Sequence, residues 1–552
     1  MRLSGLRLLS RLARPLALRA WFAVPAVIRD RLRPLIPRTW RDQVGNIYPI
    51  NIPDIKFLPG QDLILVELPQ RYTPMMPNGL GYVNNILEST GVRFQTVDAN
   101  IILYHRYHSR RLLDGLDRVV SANGYVMSDD PWDTISSNEW SKPEVIEYFR
   151  PEIDEIIDGL VEARPKILGI SVSDTNRTIA REIVSGVRAC CPDVIILVGG
   201  YDCVYHYVAP HLFPYFDYMV IGEAELTLGP LVNALLSGDK PKDLPGVISR
   251  YDSPDRVWVD GPLPQDIDAF GFPRYDWLDI GLYSDYRGQL EVPIISSRGC
   301  RWSRCRFCAE CFNWRKRSPQ KVADEFEWWV KRGLRGFRFN ESDMNGDPDA
   351  LLEICDEVIR RKLKISFYGE LRIHKRNTPE FFERLRAAGC SSLVFGVDGW
   401  TDHTLRLENK GYTMSMVEEN LRSCHQAGIV VAVNMVIGIP GETEEDVTET
   451  INNIIRCKRY IDYLQNINTL ILAAGSEYYR NPEGYNIHLR GDRREIYEKH
   501  PYFIPPDLWY SDDPYIDQQV RVNRSRRIYE TLAAAGVNIT DYAKWEVERD
   551  SK

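Results

Sequence analysis

Short runs dense in Val, Ile and Leu recur along this chain at intervals that leave room for one helix between each pair, and that spacing limits the fold more than any other feature. "DLILVEL" (62–68), "RFQTVDAN" (93–100), "KILGISVS" (166–173), "VIILVGG" (194–200) and "YMVIGEAE" (218–225) form a first series. Near-continuous apolar runs suit strands covered on both faces, as in a parallel sheet. Helical patterns at 78–89, 177–189 and 224–236 fit between them, which predicts a doubly wound, Rossmann-like α/β domain over 61–262. In such folds ligands sit outside the carboxyl ends of the strands. Here those ends carry the loop 70–77, Ser171, Ser173, Asp174, Gly199, Gly200, Gly222 and Glu223. The glycines would let backbone approach a ligand closely, or simply turn the chain.

A stretch rich in Pro, Asp and aromatic residues, 263–290, shows no sustained period and reads as a connector. Alternation then resumes, with strands expected near 292–297, 335–340, 364–370, 391–397, 429–437 and 463–472. Helices are expected near 318–332, 348–362, 378–388, 415–427 and 443–459. Six such units predict a partial (β/α)6 barrel of the TIM type over 291–474, with its chemistry at the carboxyl ends of the strands. Residues 475–552, rich in Tyr, Arg and Pro with one helical pattern at 516–535, read as a C-terminal cap.

At 552 residues the chain is long enough for several domains, and its net charge of -8 gives no global signal for nucleic acid. The first 60 residues stand apart as a basic arm, with ten arginines between Arg2 and Arg41 against the single acid Asp30. Its broken apolar run is too short to span a bilayer. A targeting peptide, an interfacial helix in peripheral membrane contact and an arm packed on the protein all fit this composition. Seven of the eleven cysteines are scattered without paired spacing, which argues against a secreted disulfide framework and for a reducing, cytoplasmic setting.

The other four cysteines lie in "SSRGCRWSRCRFCAECFNWRKR" (296–317), directly after the first barrel strand, among seven basic side chains. Thiolates bind soft metals, so zinc and an iron–sulfur cluster are both open. Structural zinc commonly takes two separated pairs of ligands. A single loop with three close cysteines suits a cubane with one iron left open. The basic residues either offset thiolate charge and face solvent or receive an anionic substrate or reductase.

With "CRWSRCRFC", the chain resembles the radical S-adenosylmethionine (SAM) superfamily, whose signature is three cysteines after the first barrel strand with an aromatic residue before the third. The resemblance assigns a [4Fe–4S] cluster to Cys300, Cys305 and Cys308, with Phe307 in the aromatic place. The first gap is four residues where three is commonest, and Cys305, Cys308 and Cys311 form an alternative register. Further landmarks follow in family order: "FNESD" (339–343) with Glu341, "GELRI" (369–373) with Glu370 and Arg372, and "FGVDGW" (395–400) with Asp398. "NMVIGIPGETEED" (434–446) follows with Ile437, Gly438 and Pro440. These residues the resemblance assigns to SAM. Outside that pattern, "GIPGE" is also what a strand end and a helix N-cap at Thr443 or Glu442 look like.

The branch of the family with a cobalamin-binding domain before the barrel implies that Ser171, Ser173, Asp174, Gly199, Gly200, Gly222 and Glu223 border cobalamin. The loop 68–82 has no histidine, and His105 and His108 come too late, so the cofactor would be base-off without a protein ligand. His206 and His211 are expected on the helix after the fourth strand, as packing or surface residues. The activity implied is reductive cleavage of SAM to a 5′-deoxyadenosyl radical and methylation of an unactivated carbon in a small molecule or peptide. An electron donor such as flavodoxin or ferredoxin would serve it. Cyclisation, rearrangement or redox work is the alternative, and a non-catalytic Fe–S or zinc protein closed by Cys311 is a third reading.

Overall fold

The computed structural model describes residues 50–71, 73–114, 130–132, 139–283, 290–310 and 312–550. The basic stretch 1–49 and Cys311 lie outside the described residues, and with them the readings of that arm and of the alternative cysteine register. No described helix is long and apolar enough to cross a membrane.

Two parallel sheets carry the molecule. The first holds β1 (Leu63–Glu67), β2 (Phe94–Asp98), β3 (Ile167–Ser171), β4 (Ile195–Gly199), β5 (Tyr218–Val220) and β6 (Val247–Ser249), in the order β2-β1-β3-β4-β5-β6. Only β6 runs antiparallel to its neighbour. Alternate residues of β1 serve opposite cores: Ile64 and Val66 join one apolar cluster, Leu63 and Leu65 the other. A strand covered on both faces has no polar alternation, which is why its sequence reads as a continuous apolar run. Chain order reverses between β1 and β3, so a crevice opens at their carboxyl ends.

Differences from the sequence reading have local causes. The run 218–225 yields only three strand residues, because Gly222 turns away at φ +73 and the following helix starts at Leu228. β6 is too short to show a period. The insertion between β2 and β3 holds the helices Ala99–Asp114 and Arg150–Ala163, which the apolar-run reading passes over. His211 lies on the short helix Ala209–Leu212, whereas His206 precedes it and stacks on Trp258 with centroids 4.5 Å apart.

The connector is packed rather than free. Asn85 donates to the carbonyls of Phe270 and Phe272 at 3.1 and 2.9 Å, and Tyr275, Leu282 and Tyr283 are buried. Burial of its aromatic residues holds it as a wedge between the sheets.

The second sheet begins at β7 (Val292–Ile294), followed by a two-stranded stem of β8 (Ser297–Arg298) and β9 (Arg315–Lys316). It continues with β10 (Gly336–Phe339), β11 (Ser366–Leu371), β12 (Cys390–Asp398), β13 (Val430–Ile437) and β14 (Tyr463–Thr469). The six main strands are parallel in the order β7-β10-β11-β12-β13-β14, and β14 does not pair with β7, so the barrel stays open. The outer helices start where the caps predict: Pro follows the N-cap residue in three of them, and Thr443 with Asp446 forms a capping box. Glu442 is not the cap. It accepts from the Gly438 amide at 2.8 Å and from Arg524 at 3.0 Å on the C-terminal helix Gln518–Ala534. The exposed edge of β14 is covered by Asn538 to Thr540, whose backbone bonds Leu464 at 2.8 and 3.1 Å.

Arg317, just past β9, is buried and binds Glu325 at 2.5 Å, Asp268 at 2.9 Å and the Ile295 carbonyl at 3.0 Å. It therefore ties the cysteine stem to the connector and to the first barrel helix. Removing one partner of a buried pair strands the other. Arg317→Met is expected to cost about 3 kcal/mol in chemical denaturation, while Arg317→Met with Glu325→Leu recovers most of it.

Candidate functional site

β7 delivers the chain to the tip of the barrel, where the β8–β9 stem closes the loop 299–314 into a knot. Gly299, at φ +76, lies so close to the far side of that knot that a Cβ would sit 2.6 Å from the Phe312 carbonyl. Glu341, at the tip of β10, fixes the base of the stem. It accepts from the amides of Ser296 and Ser297 at 2.6 and 3.0 Å and from the Ser296 hydroxyl. Oε2 thus takes both backbone amides and Oε1 the hydroxyl. Burial pushes its carboxyl up to about 7 against those donors.

The knot presents Cys300, Cys305 and Cys308 half-buried over the barrel mouth. Cys300 Sγ lies 3.6 Å from Asp343 and accepts from the Ser303 amide, and Cys308 Sγ accepts from the Glu310 amide at 3.3 Å. Burial pushes the thiols up, Cys300 to about 11 and Cys308 to about 12, and Cys300 and Cys308 each feel Cys305. Lys410 opposes that rise at Cys305 and Cys308. Among the described residues no three His, Cys, Asp or Glu side chains stand ready to hold a single metal ion. Three thiols on one loop with a buried cation behind them match the donor set of an iron–sulfur cluster, and the protons they hold would leave on loading.

The barrel candidates sit at successive strand tips. Glu370, on β11, is exposed to the mouth; desolvation raises its carboxyl, Arg338 opposes and Asp398 adds to the rise. Arg372 stacks on Trp302 at 4.3 Å and on Tyr412 at 5.2 Å and donates to the Lys410 carbonyl, which holds it against the cysteine knot. Asp398, at φ +61, pairs with Lys410 at 2.5 Å. Phe307 lies under the Lys410 ammonium at 5.5 Å. Ile437, Gly438 and Pro440 are buried where β13 turns, and Gly438 at φ +75 packs on the Arg521 side chain. No motif marked Lys410. A lysine is visible in sequence only as a charge, and its burial depends on the β12 turn that brings Asp398 to it.

The first sheet points its own carboxyl ends at this knot. Tyr205 donates to the Ala309 carbonyl at 2.8 Å, and Tyr201, at the β4 tip, feels Glu310 and Cys308. Glu223 is gripped by Arg298 at 2.7 Å and by Arg315 through both oxygens, and Arg298 also binds Glu225 at 2.6 Å. Its carboxylate is therefore an interdomain bridge. Gly200 faces Ser171 and Val172, where a Cβ would meet atoms at 2.8 Å, so packing alone requires it. Gly222 faces open space, a Cβ on Gly199 would only touch the Val220 carbonyl at 4.0 Å, and Asp174 is exposed at the crevice beside β1 and β3. Ser173 is engaged with Thr175 and Asn176. The open glycines fit a flat cofactor lying over the tips. His105 and His108 are buried on the helix Ala99–Asp114, away from those tips.

Residues 294–454 match the Radical SAM superfamily. Two curated relatives are an anaerobic magnesium-protoporphyrin IX monomethyl ester cyclase of Synechocystis and an uncharacterised methyltransferase of Pyrococcus horikoshii. The first is 26% identical over 56% of this chain and 63% of its own length, the second 26% identical over 56% and 71%. The shared stretch thus spans less than two thirds of the cyclase. Among solved structures, the radical SAM methyltransferase TsrM of Kitasatospora setae, with cobalamin and a [4Fe–4S] cluster bound, superposes with TM-score 0.63 at 16% identity, over 89% of this chain and 98% of that one. The chain therefore carries a radical SAM domain and shares the two-domain fold of a cobalamin-binding relative.

Glu341 supplies a pH test. Its folded value of about 7 lies above the ordinary 4.5, so its contribution is complete below about pH 4.5 and fades as pH rises through 7. In denaturant titrations of the metal-free protein, the stability of wild type relative to Glu341→Gln should fall by up to about 3 kcal/mol between pH 4.5 and 8.

Proposed function

We propose that the chain is a radical SAM enzyme that binds cobalamin and methylates an unactivated carbon of a small molecule or peptide. The observation that carries this reading is the facing of two strand-tip edges across one cysteine knot, with Tyr201 and Tyr205 reaching the knot from the first sheet. Cys300, Cys305 and Cys308 would hold a [4Fe–4S] cluster, and Gly199, Gly222 and Asp174 would border base-off cobalamin. When bound, these cofactors supply one-electron cleavage of SAM and a transferable methyl group.

The protein's own residues orient and insulate. Glu370 and Arg372 offer opposite charges, one for the amino group and one for the carboxylate of the SAM methionine. The Asp398–Lys410 pair braces the knot from behind, with the Phe307 ring under the Lys410 ammonium. Glu341 holds the loop in register without touching ligand. Ile437 and Gly438 are buried in the β13 turn, which Glu442 and Arg521 brace beneath the place the adenine would take. Tyr201, largely exposed, hydrogen-bonds Tyr502 at the edge of the cleft.

A second reading, cyclisation without methyl transfer, draws support from the Synechocystis relative. Anaerobic reconstitution with SAM, reductant and methylcobalamin separates them. 5′-Deoxyadenosine together with S-adenosylhomocysteine is expected; the first without the second favours cyclisation, and iron binding with neither points to a non-catalytic protein. Cys308→Ala should lower 5′-deoxyadenosine formation at least a hundredfold while Cys311→Ala retains it. Full loss in Cys311→Ala would move the cluster to the alternative register.

A further inference from the structure

Outside the mouth, the knot forms one wall of a cavity of about 440 Å³ whose other walls are the loops after β10 and β11. Its rim is cationic. Arg301, Lys375 and Arg376 line it, Arg372 forms its inner wall against Trp302, where the cavity meets the mouth residues, and Arg304 stands beside it over the Trp302 ring at 5.3 Å. Asp347 and Asp349 offset part of that charge, through Arg301, Lys316 and Arg376. No carboxylate among the described residues is recorded in an ion pair with Lys375 or Arg304. His374, in the same wall, is held below its ordinary value by burial and then by Arg372, Arg376, Lys375 and Arg301. A positive patch of this density contrasts with a net charge of -8 for the chain.

The cavity also reaches the sulfur site. Its floor is Asp343, 2% exposed, whose Oδ1 has no hydrogen-bond partner and whose Oδ2 lies 3.6 Å from Cys300 Sγ. Trp302 lines the same cavity and lies two residues from Cys300. Anything seated on the rim is therefore one side chain away from the knot.

The geometry points to this basic rim as the docking surface for an acidic one-electron donor protein of the flavodoxin class. The assignment rests on the cluster reading above. In the transfer the anionic flavin hydroquinone loses one electron and becomes the neutral semiquinone. The cluster held by the three thiols is reduced by that electron from the 2+ to the 1+ state, and no proton changes hands. Charge complementarity would steer the encounter and make it sensitive to salt.

The test uses the reconstituted full chain, a recombinant flavodoxin reduced to the hydroquinone, and dithionite as a small reductant, with bleaching of iron–sulfur absorbance followed by stopped flow. Lys375→Glu with Arg376→Glu should slow reduction by flavodoxin about tenfold at low salt and weaken flavodoxin binding by a similar factor, leaving reduction by dithionite unchanged. Unaltered flavodoxin rates and affinity in the variant would overturn the assignment. So would a variant that reduces normally but loses affinity for a transfer-RNA probe, which would make the rim a nucleic-acid surface. A chain that flavodoxin reduces in this charge-dependent way but that never cleaves SAM would overturn the proposed function and leave the docking surface standing.

Discussion

The grip of Arg298 and Arg315 on Glu223 is the interaction on which the arrangement of this molecule depends. Two guanidinium groups from one stem close on one carboxylate from the β5 tip, and Arg298 extends the contact to Glu225. Against the penalty of burial, Arg315 and Arg298 hold the Glu223 carboxyl below its usual range. Charge-assisted pairs with both partners satisfied fix geometry as well as energy. Because the same stem carries the cysteine knot, the contact that joins the domains also sets the distance between the sulfur site and the open glycines of the first sheet. Much of the basic stretch is thereby accounted for. Arg298, Arg315 and Arg317 are structural, Arg306 donates to the Leu407 carbonyl at 2.9 Å, and Arg301 and Arg304 face outward.

Behind the knot the protein concentrates buried charge where it has most effect. Lys410 is buried beside Asp398 and Glu408, and burial followed by Asp398 pushes the Glu408 carboxyl well up while Lys410 opposes. Lys410 and Asp398 pair directly, and Lys410 opposes the rise that burial imposes on the Cys305 and Cys308 thiols, favouring the thiolate that a metal needs. Arg524, bound to the Glu442 carbonyl and carboxylate, places the C-terminal helix Gln518–Ala534 behind the turn of β13.

Much of this was legible in the sequence where local pattern and tertiary role coincide. Strands covered on both faces betray themselves as apolar runs, so both parallel sheets and the order of their units follow from residues such as Leu63 to Val66. Cys300, Cys305, Cys308 and Phe307 were singled out by the resemblance to the radical SAM signature, and the fold carries their loop to the tip of the first barrel strand. Roles that depend on distant partners were not legible. Glu223 stands at a strand tip where a cofactor residue would, and only the fold shows Arg298 and Arg315 closing on it. Glu341 and Gly200, which the motifs assign to ligands, also make contacts within the protein that no motif announces, Glu341 to the Ser296 and Ser297 amides and Gly200 against Ser171 and Val172. Lys410 carries no signal at all until β12 folds.

The central claim is that Cys300, Cys305 and Cys308 hold a cluster with one iron open to SAM. Electron paramagnetic resonance of the reduced, reconstituted protein, recorded with and without SAM, tests it most directly. A signal of a reduced [4Fe–4S] cluster whose g-values shift when SAM is added is the predicted result. A cluster signal indifferent to saturating SAM, or zinc without iron at these thiols, would contradict it.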